Sequence, residues 1–285
     1  MINTETRILG ILGFPLGHSL SPLMHNRALQ SLGLNYVYVA FAVARHFLAD
    51  AVKGLRGLGV AGVNVTVPFK EEILPYLDEL STEAQACQAV NVVKNCQGRL
   101  VGYNTDGPGF MAALTEAGVT PAGQRIVLLG AGGAARAVAY QLGRAGSQHI
   151  TCVNRTRGKA EQLAEFITGQ TGVPASAAGW DEEEVEKAVQ AAGMLVNTTP
   201  VGMFPATREM PPVNPEWFHH ELVVCDVIYN PAQTRLLLAA RQRGLRTVDG
   251  VGMFVHQGAL AFEIFTGCPA PVKLMREVVV GELAR

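Results

Sequence analysis

The feature that most constrains the fold is the run "RIVLLGAGGAARAVAYQLGRAGSQHITCVNRT", residues 125–156. An apolar strand leads into glycines, the glycines open a helical pattern, and a second apolar strand follows. Such a unit places its two strands side by side and parallel. The turn reads G-x-G-x-x-A. Gly130 makes the tight turn, Gly132 lets the backbone approach a pyrophosphate, and Ala135 is small enough for helix–strand packing. The N-terminus of the helix offers N–H groups and the positive end of its dipole to phosphates. Gly130, Ala131, Gly132, Gly133 and Ala134 are therefore expected to cradle a dinucleotide.

The end of the second strand selects the cofactor. An NAD site usually carries Asp or Glu about 20 residues on, against the ribose hydroxyls. Here the place reads "VNRTRGK", with Asn154, Arg155, Thr156, Arg157 and Lys159 and no acid. A carboxylate would repel a 2′-phosphate, whereas a guanidinium grips it in a fork. This points to NADP. Arg157 and Lys159 read equally well as a solvated helix start, the default for exposed cations.

The 285 residues suffice for one large domain or two ordinary ones, and 48% hydrophobic content allows sizeable cores. A net charge of −1 gives no support for a nucleic-acid or anionic-membrane surface. The five cysteines are scattered, with no CxxC or Cys/His cluster, so neither a zinc site nor a disulfide framework is expected. The start, "MINTETRILGILGFPLG", has no basic n-region and its apolar run is broken, which is not the pattern of a signal peptide or a membrane span. A cytoplasmic protein is the expectation.

Ahead of the glycine loop the chain alternates strand and helix, which favours an α/β layer architecture. Strands are predicted at 7–13, 36–43 and 62–68, helices at 21–34 and 46–59, and two strands around a turn at "NCQG" within 89–107. In "GVNVTVP" Val63, Val65 and Val67 alternate with Asn64 and Thr66, so this strand is expected to show two different faces until Pro68 ends it. Ser21 is expected to cap the first helix, with Pro22 at its first position. Later strands are predicted at 194–200, 222–229 and 246–250, and a helix at 253–267.

Polar residues collect where the early strands end: Ser19 and Ser21, then Asn64, Thr66 and Lys70, then Asn91, then Asp106 in "NTDG". Each has a plain local reading, such as a helix cap for Ser21 or Asp106. Together they resemble the lining of a site for a small polyhydroxylated acid, because buried polar groups need partners. His18 and His25 lie beside this set and read equally well as structural. His219 and His220 are given no role.

The motifs "GFPLGHSLSPLMHN", "NVTVPFKE", "AVNVV", "GYNTDG", "GAGGAARA", "NRT" and "VHQGALAFE" occur in the order and spacing of the shikimate dehydrogenase family, and the chain resembles that family over nearly its whole length. The resemblance implies a discontinuous α/β substrate domain, residues 1–106 and 252–285, and a Rossmann-type dinucleotide-binding domain, 107–251, with the active site in the cleft between them. It implies NADP-dependent reduction of 3-dehydroshikimate to shikimate in aromatic amino-acid biosynthesis. Residue by residue, Ser19 and Ser21 resemble carboxylate binders. Asn64, Thr66, Asn91, Gln257 and Tyr229 resemble further substrate contacts, and Lys70 and Asp106 the catalytic pair. Val227 and Gly250 match positions near the nicotinamide. The implied partner is a small molecule, with neither nucleic acid nor membrane, and a homodimer is left open. Many members of the family carry a single later arginine where this chain has Arg157 and Lys159.

Ketone reduction by hydride needs a proton donor at the developing alkoxide. Lys70 can give that proton, and Asp106 can orient it. Two alternatives stay open: a quinate or dual-specificity dehydrogenase of the same family, and a non-catalytic NADP-binding sensor on the same fold.

Overall fold

The computed structural model describes residues 2–17 and 19–285, so His18 lies outside the described residues. The chain forms two compact units, Met1–Thr105 with Val255–Arg285, and Asp106–Phe254. The expected boundaries, 106 and 252, differ from these by a few residues. Asp106 opens a helix of the second unit, and the return crossing falls inside a continuous helix, Gly250–Thr266.

The first unit carries strands β1 (Arg7–Gly13), β2 (Tyr36–Ala42), β3 (Gly62–Val65), β4 (Glu79–Leu80), β5 (Val92–Cys96) and β6 (Arg99–Tyr103). Its helices are α1 (Ser21–Ser31), α2 (Leu48–Gly57), α3 (Phe69–Glu72) and α4 (Thr82–Cys87). The sheet order is β2-β1-β3-β5-β6-β4. β1 runs parallel to β2 and β3, while β5 is antiparallel to both β3 and β6. The β5–β6 turn places Gln97 and Gly98 at φ 56° and 89°, the left-handed pair that a two-residue hairpin of this twist needs.

Two local expectations are corrected. Leu20, not Ser21, is the N-cap of α1, and Ser21 is already helical. β3 stops at Val65, and all four of its residues are buried. Val63 and Val65 pack in a core with Leu48 and Val52, and Gly62 lies against the Phe265 ring on the other face, so both faces are covered and alternation of burial is lost. Val67, expected to continue the buried face, is 67% exposed. Pro68 follows as the N-cap of α3.

The second unit carries α5 (Asp106–Glu116), β7 (Arg125–Leu129), α6 (Gly133–Arg144), β8 (His149–Val153), α7 (Arg157–Thr171), β9 (Ala175–Ala178), α8 (Glu182–Gln190), β10 (Met194–Asn197), β11 (Val223–Asp226), α9 (Arg235–Gln242) and β12 (Thr247–Val248). Its sheet order is β12-β11-β10-β7-β8-β9, with every pairing parallel. In the unit's own count this is 3-2-1-4-5-6, the doubly wound order, which reverses between β7 and β10. Along β7, Ile126 and Leu128 enter one core and Val127 and Leu129 the other, so this sheet too is covered on both faces. Helix α10 (Gly250–Thr266) starts here and ends in the first unit, where α11 (Val272–Leu283) packs on α1. Among the described residues no helix is long and apolar enough to cross a membrane.

Candidate active site

In the first unit the polar residues at the strand ends form a connected lattice. Asn64 and Asn91 are 6% and 2% exposed, so their carboxamides need partners inside the protein. Asn91 Oδ1 accepts the Thr105 backbone N–H at 2.8 Å, and its Nδ2 donates to Thr105 Oγ1 at 2.9 Å and to Gln257 Oε1 at 3.4 Å. Thr105 Oγ1 in turn donates to the Gln257 carbonyl at 3.1 Å. Asn64 Nδ2 donates to the Asn91 carbonyl at 3.4 Å, and its Oδ1 accepts the Tyr38 hydroxyl at 2.7 Å. Ser19 Oγ accepts the Ser21 N–H at 3.3 Å, so Ser19 partly supplies the cap expected of Ser21. Thr66 follows β3 and receives the Phe69 N–H on its carbonyl. Lys70 stands in α3, half-buried, and its carbonyl accepts Val90 N–H at 2.7 Å, which ties α3 to the segment leading into β5.

Of the predicted substrate contacts, Asn64, Asn91 and Gln257 are thus joined directly, and Ser19 and Ser21 are neighbours. Asp106, Tyr229 and the cofactor residues belong to the second unit. Asp106 is buried at the first position of α5. The Tyr229 ring stacks on Phe254, centroids 4.0 Å apart. Tyr38 and Thr105 were not singled out from the sequence. Tyr38 sits in an aromatic, apolar strand and reads as core, whereas Thr105, inside "NTDG", had a motif to point at it.

The second unit's loop fits a dinucleotide. Gly130 has φ +105°, and a Cβ there would stand 2.7 Å from Thr198 Oγ1, so glycine is required. A Cβ on Gly132, the N-cap of α6, would meet nothing within 4 Å, which leaves open space beside the free N–H groups of Gly133 and Ala134. Ala131 lies between the two glycines, and Ala135 is fully buried against the core. At the end of β8, Asn154 Nδ2 donates to the Thr156 carbonyl at 3.0 Å, shaping the bend that leads into α7. Arg155 and Lys159 are exposed, and neither side chain has a partner among the described residues. Arg157 differs. Its Nη1 donates to both Glu184 oxygens at 2.8 and 2.9 Å, and its Nε lies 3.4 Å from Glu161. The Arg157 guanidinium holds the Glu184 carboxyl below the usual carboxylate range.

Behind Val227 and Tyr229 lies a buried anchor with no counterpart in the sequence reading. Asp226 accepts Asn197 Nδ2 at 3.0 Å, Thr234 Oγ1 at 2.7 Å and the Ile228 N–H at 3.1 Å. Burial pushes its carboxyl up to about 6 against the lowering effect of these donors. Val227 N–H bonds the Asn197 carbonyl, and Gly250 lies so close to Ile228 that a Cβ would meet its carbonyl oxygen at 2.3 Å. The network fixes the loop that follows β11. Its residue types were legible, but their convergence from β10, β11 and the start of α9 was not.

A doubly wound sheet with this glycine loop beside its switch point, exposed cations after β8, and a separate unit lined with amides and hydroxyls together define an NADP-dependent oxidoreductase. Comparison with known proteins narrows the class. Residues 11–93 match the shikimate dehydrogenase substrate binding domain, 113–198 the shikimate/quinate 5-dehydrogenase domain, and 250–280 the shikimate 5′-dehydrogenase C-terminal domain. The shikimate dehydrogenase (NADP(+)) of Methanopyrus kandleri is 48% identical over 283 residues, covering 99% of this chain and 98% of its own. A crystal structure of a shikimate dehydrogenase in complex with NADP+ is 40% identical with a TM-score of 0.93, covering 100% of this chain and 98% of that one. Shikimate 5-dehydrogenase from Thermus thermophilus, in complex with NADP(H) and shikimate, is 39% identical with a TM-score of 0.85, covering 96% and 99%. The chain belongs to the shikimate dehydrogenase family.

Proposed function

We propose that this chain catalyses the reversible NADP-dependent reduction of 3-dehydroshikimate to shikimate, a step of aromatic amino-acid biosynthesis, in the cytoplasm. The observation that carries this is the lattice formed by the buried carboxamides Asn64 and Asn91 at the strand ends of the first unit with Thr105 and the half-buried Gln257 of α10. Carboxamides both donate and accept, which suits a ring bearing several hydroxyls. In this reading the Ser19 and Ser21 hydroxyls take the substrate carboxylate. Asn64, Thr66, Asn91, Gln257 and Tyr229 bind and orient the ring. Gly130 to Ala134 with Asn154, Arg155, Thr156 and Lys159 hold the cofactor, while Val227 and Gly250 shape the nicotinamide end. NADPH, when bound, supplies the hydride. The Lys70 Nζ gives its proton to the carbonyl oxygen as negative charge develops there, and its neutral amine takes it back in the reverse direction. The Asp106 carboxylate orients Lys70 and the reacting hydroxyl by accepting hydrogen bonds. Arg157 stands apart, held by Glu184.

Two experiments test this reading. Rates with shikimate or quinate, each paired with NADP or NAD, are expected to be fast for shikimate with NADP alone. Comparable turnover of quinate would make the protein a dual-specificity dehydrogenase, and no turnover in any pairing would leave a binding module. Lys70→Ala is expected to lower turnover by about 10²–10⁴-fold, the usual size of an acid–base contribution, with a smaller change in substrate KM. Near-normal turnover would exclude Lys70 as the proton-transfer group.

A further inference from the structure

The α1 motif "SPLMHN" holds more than Ser21, and its last two residues converge on one residue of β2. Tyr38 lies on the edge strand of the first sheet. Asn26 Oδ1 accepts the Tyr38 N–H at 2.9 Å, and Asn26 Nδ2 donates to the Tyr38 carbonyl at 2.8 Å. One carboxamide thus stands in for the strand partner that an edge lacks. The His25 ring lies flat on the Tyr38 ring, centroids 4.4 Å apart at 2°. His25 and Tyr38 are each 1% exposed. Backbone and ring of Tyr38 are therefore both held, and its hydroxyl is delivered to a fixed point.

At that point stands one group of the substrate site. The hydroxyl is 2.7 Å from Asn64 Oδ1. Proton counting gives the sense of each bond. The Asn91 carbonyl can only accept, so the Asn64 group facing it is the NH₂, and Asn64 Oδ1 faces Tyr38. The phenol spends its one proton on that oxygen. Of the two Asn64 N–H bonds, one reaches the Asn91 carbonyl and the other has no partner among the described residues. It is left for a ligand oxygen.

We propose that Tyr38 is a positioning residue of the substrate site, whose hydroxyl sets the orientation of the Asn64 carboxamide and so the direction of the N–H left for a substrate oxygen. This rests on the assignment of Asn64 to the substrate site. Tyr38→Phe keeps the ring and its stacking and removes only the hydroxyl. The test is steady-state shikimate oxidation by wild type, Tyr38→Phe, Asn64→Ala and the double variant. Tyr38→Phe is expected to raise the shikimate KM about tenfold, the order of one hydrogen bond, with little change in kcat or in the NADP KM. The double variant is expected to match Asn64→Ala alone. A merely structural loss would reduce the active fraction, and so apparent kcat, without moving KM. An unchanged KM in Tyr38→Phe, or an equal rise with and without Asn64, overturns the proposal while the assignment of Asn64 stands. A wild-type KM in Asn64→Ala overturns that assignment, and the proposal with it. Asn26→Ser is the second variant should Tyr38→Phe fail to fold. It loosens the Tyr38 backbone and is expected to raise the shikimate KM in the same sense, and no rise counts against the proposal.

Discussion

At the scale of residues, the three cations after β8 divide by what already holds them. Arg157 is bound by Glu184 and Glu161, while Arg155 and Lys159 have no side-chain partner among the described residues. A charge-assisted hydrogen bond contributes about 1.5–3 kcal/mol, so Arg155→Ala is expected to weaken NADP roughly 10–150-fold and NAD little. Arg157→Ala loses only an exposed, solvent-screened ion pair and is expected to shift NADP affinity less than about fivefold. Titration of both cofactors against both variants checks this, and equal losses in the two variants would return Arg157 to the phosphate site. The sequence put all three cations in one place because proximity in sequence is legible, whereas a partner in α8 is not. Asn64 and Asn91 were legible for a different reason. A carboxamide inside a run of valines violates the burial rule and asks for an explanation. A tyrosine in "YVYVAFAV" violates nothing, so the role of Tyr38 emerged only once α1 was seen against it.

At the scale of elements, the strand–helix–strand unit of 125–156 was read correctly because glycine positions carry backbone geometry directly. The short elements were not. β9 is the alanine-rich "ASAA", with no β-branched side chain to announce a strand, and it is set by pairing with β8. The predicted third strand, 62–68, runs three residues past Val65 because the valine alternation continues beyond the point where the ladder ends. Gly132 and Gly250 both begin helices yet serve different ends, and substitution separates them. Gly132→Ala enters open space and is expected to leave thermal stability close to wild type while weakening NADP, since its methyl occupies the phosphate approach. Gly250→Ala forces a carbon against the Ile228 carbonyl and is expected to cost about 1–3 kcal/mol, read as a lowered urea midpoint. The reverse pattern would mean that the glycine loop is a packing device rather than a cofactor cradle.

At the scale of the molecule, each unit has its own sheet and its own core, and His25 in the first and Asp226 in the second are buried groups of opposite pH sense. In the first unit burial pushes His25 down to about 3 from an ordinary 6.5, and neither ring nitrogen has a hydrogen-bond partner among the described residues. The unfolded chain then binds a proton that the folded unit does not, so this contribution is complete above pH 6.5 and is lost as pH falls toward 3. In the second unit Asp226 is pushed up to about 6 from an ordinary 3.8. Here the folded unit binds the extra proton, so its contribution is present below pH 3.8 and is lost as pH rises through 6. Between about pH 4 and 6 the two slopes are equal and opposite. If the chain unfolded as one cooperative body, they would cancel in a single transition. With separate cores, two transitions are expected, which move apart on acidification as the first unit weakens and the second gains. Calorimetry at about pH 4, 5 and 6.5 would show this, and two variants assign the limbs. His25→Phe keeps an aromatic ring on Tyr38 and is expected to flatten the acid loss of the first unit. Asp226→Asn keeps the polar network and is expected to remove the acid gain of the second. A single transition, flat across this range in wild type and tilted in opposite senses by the two variants, would instead show that the units unfold together.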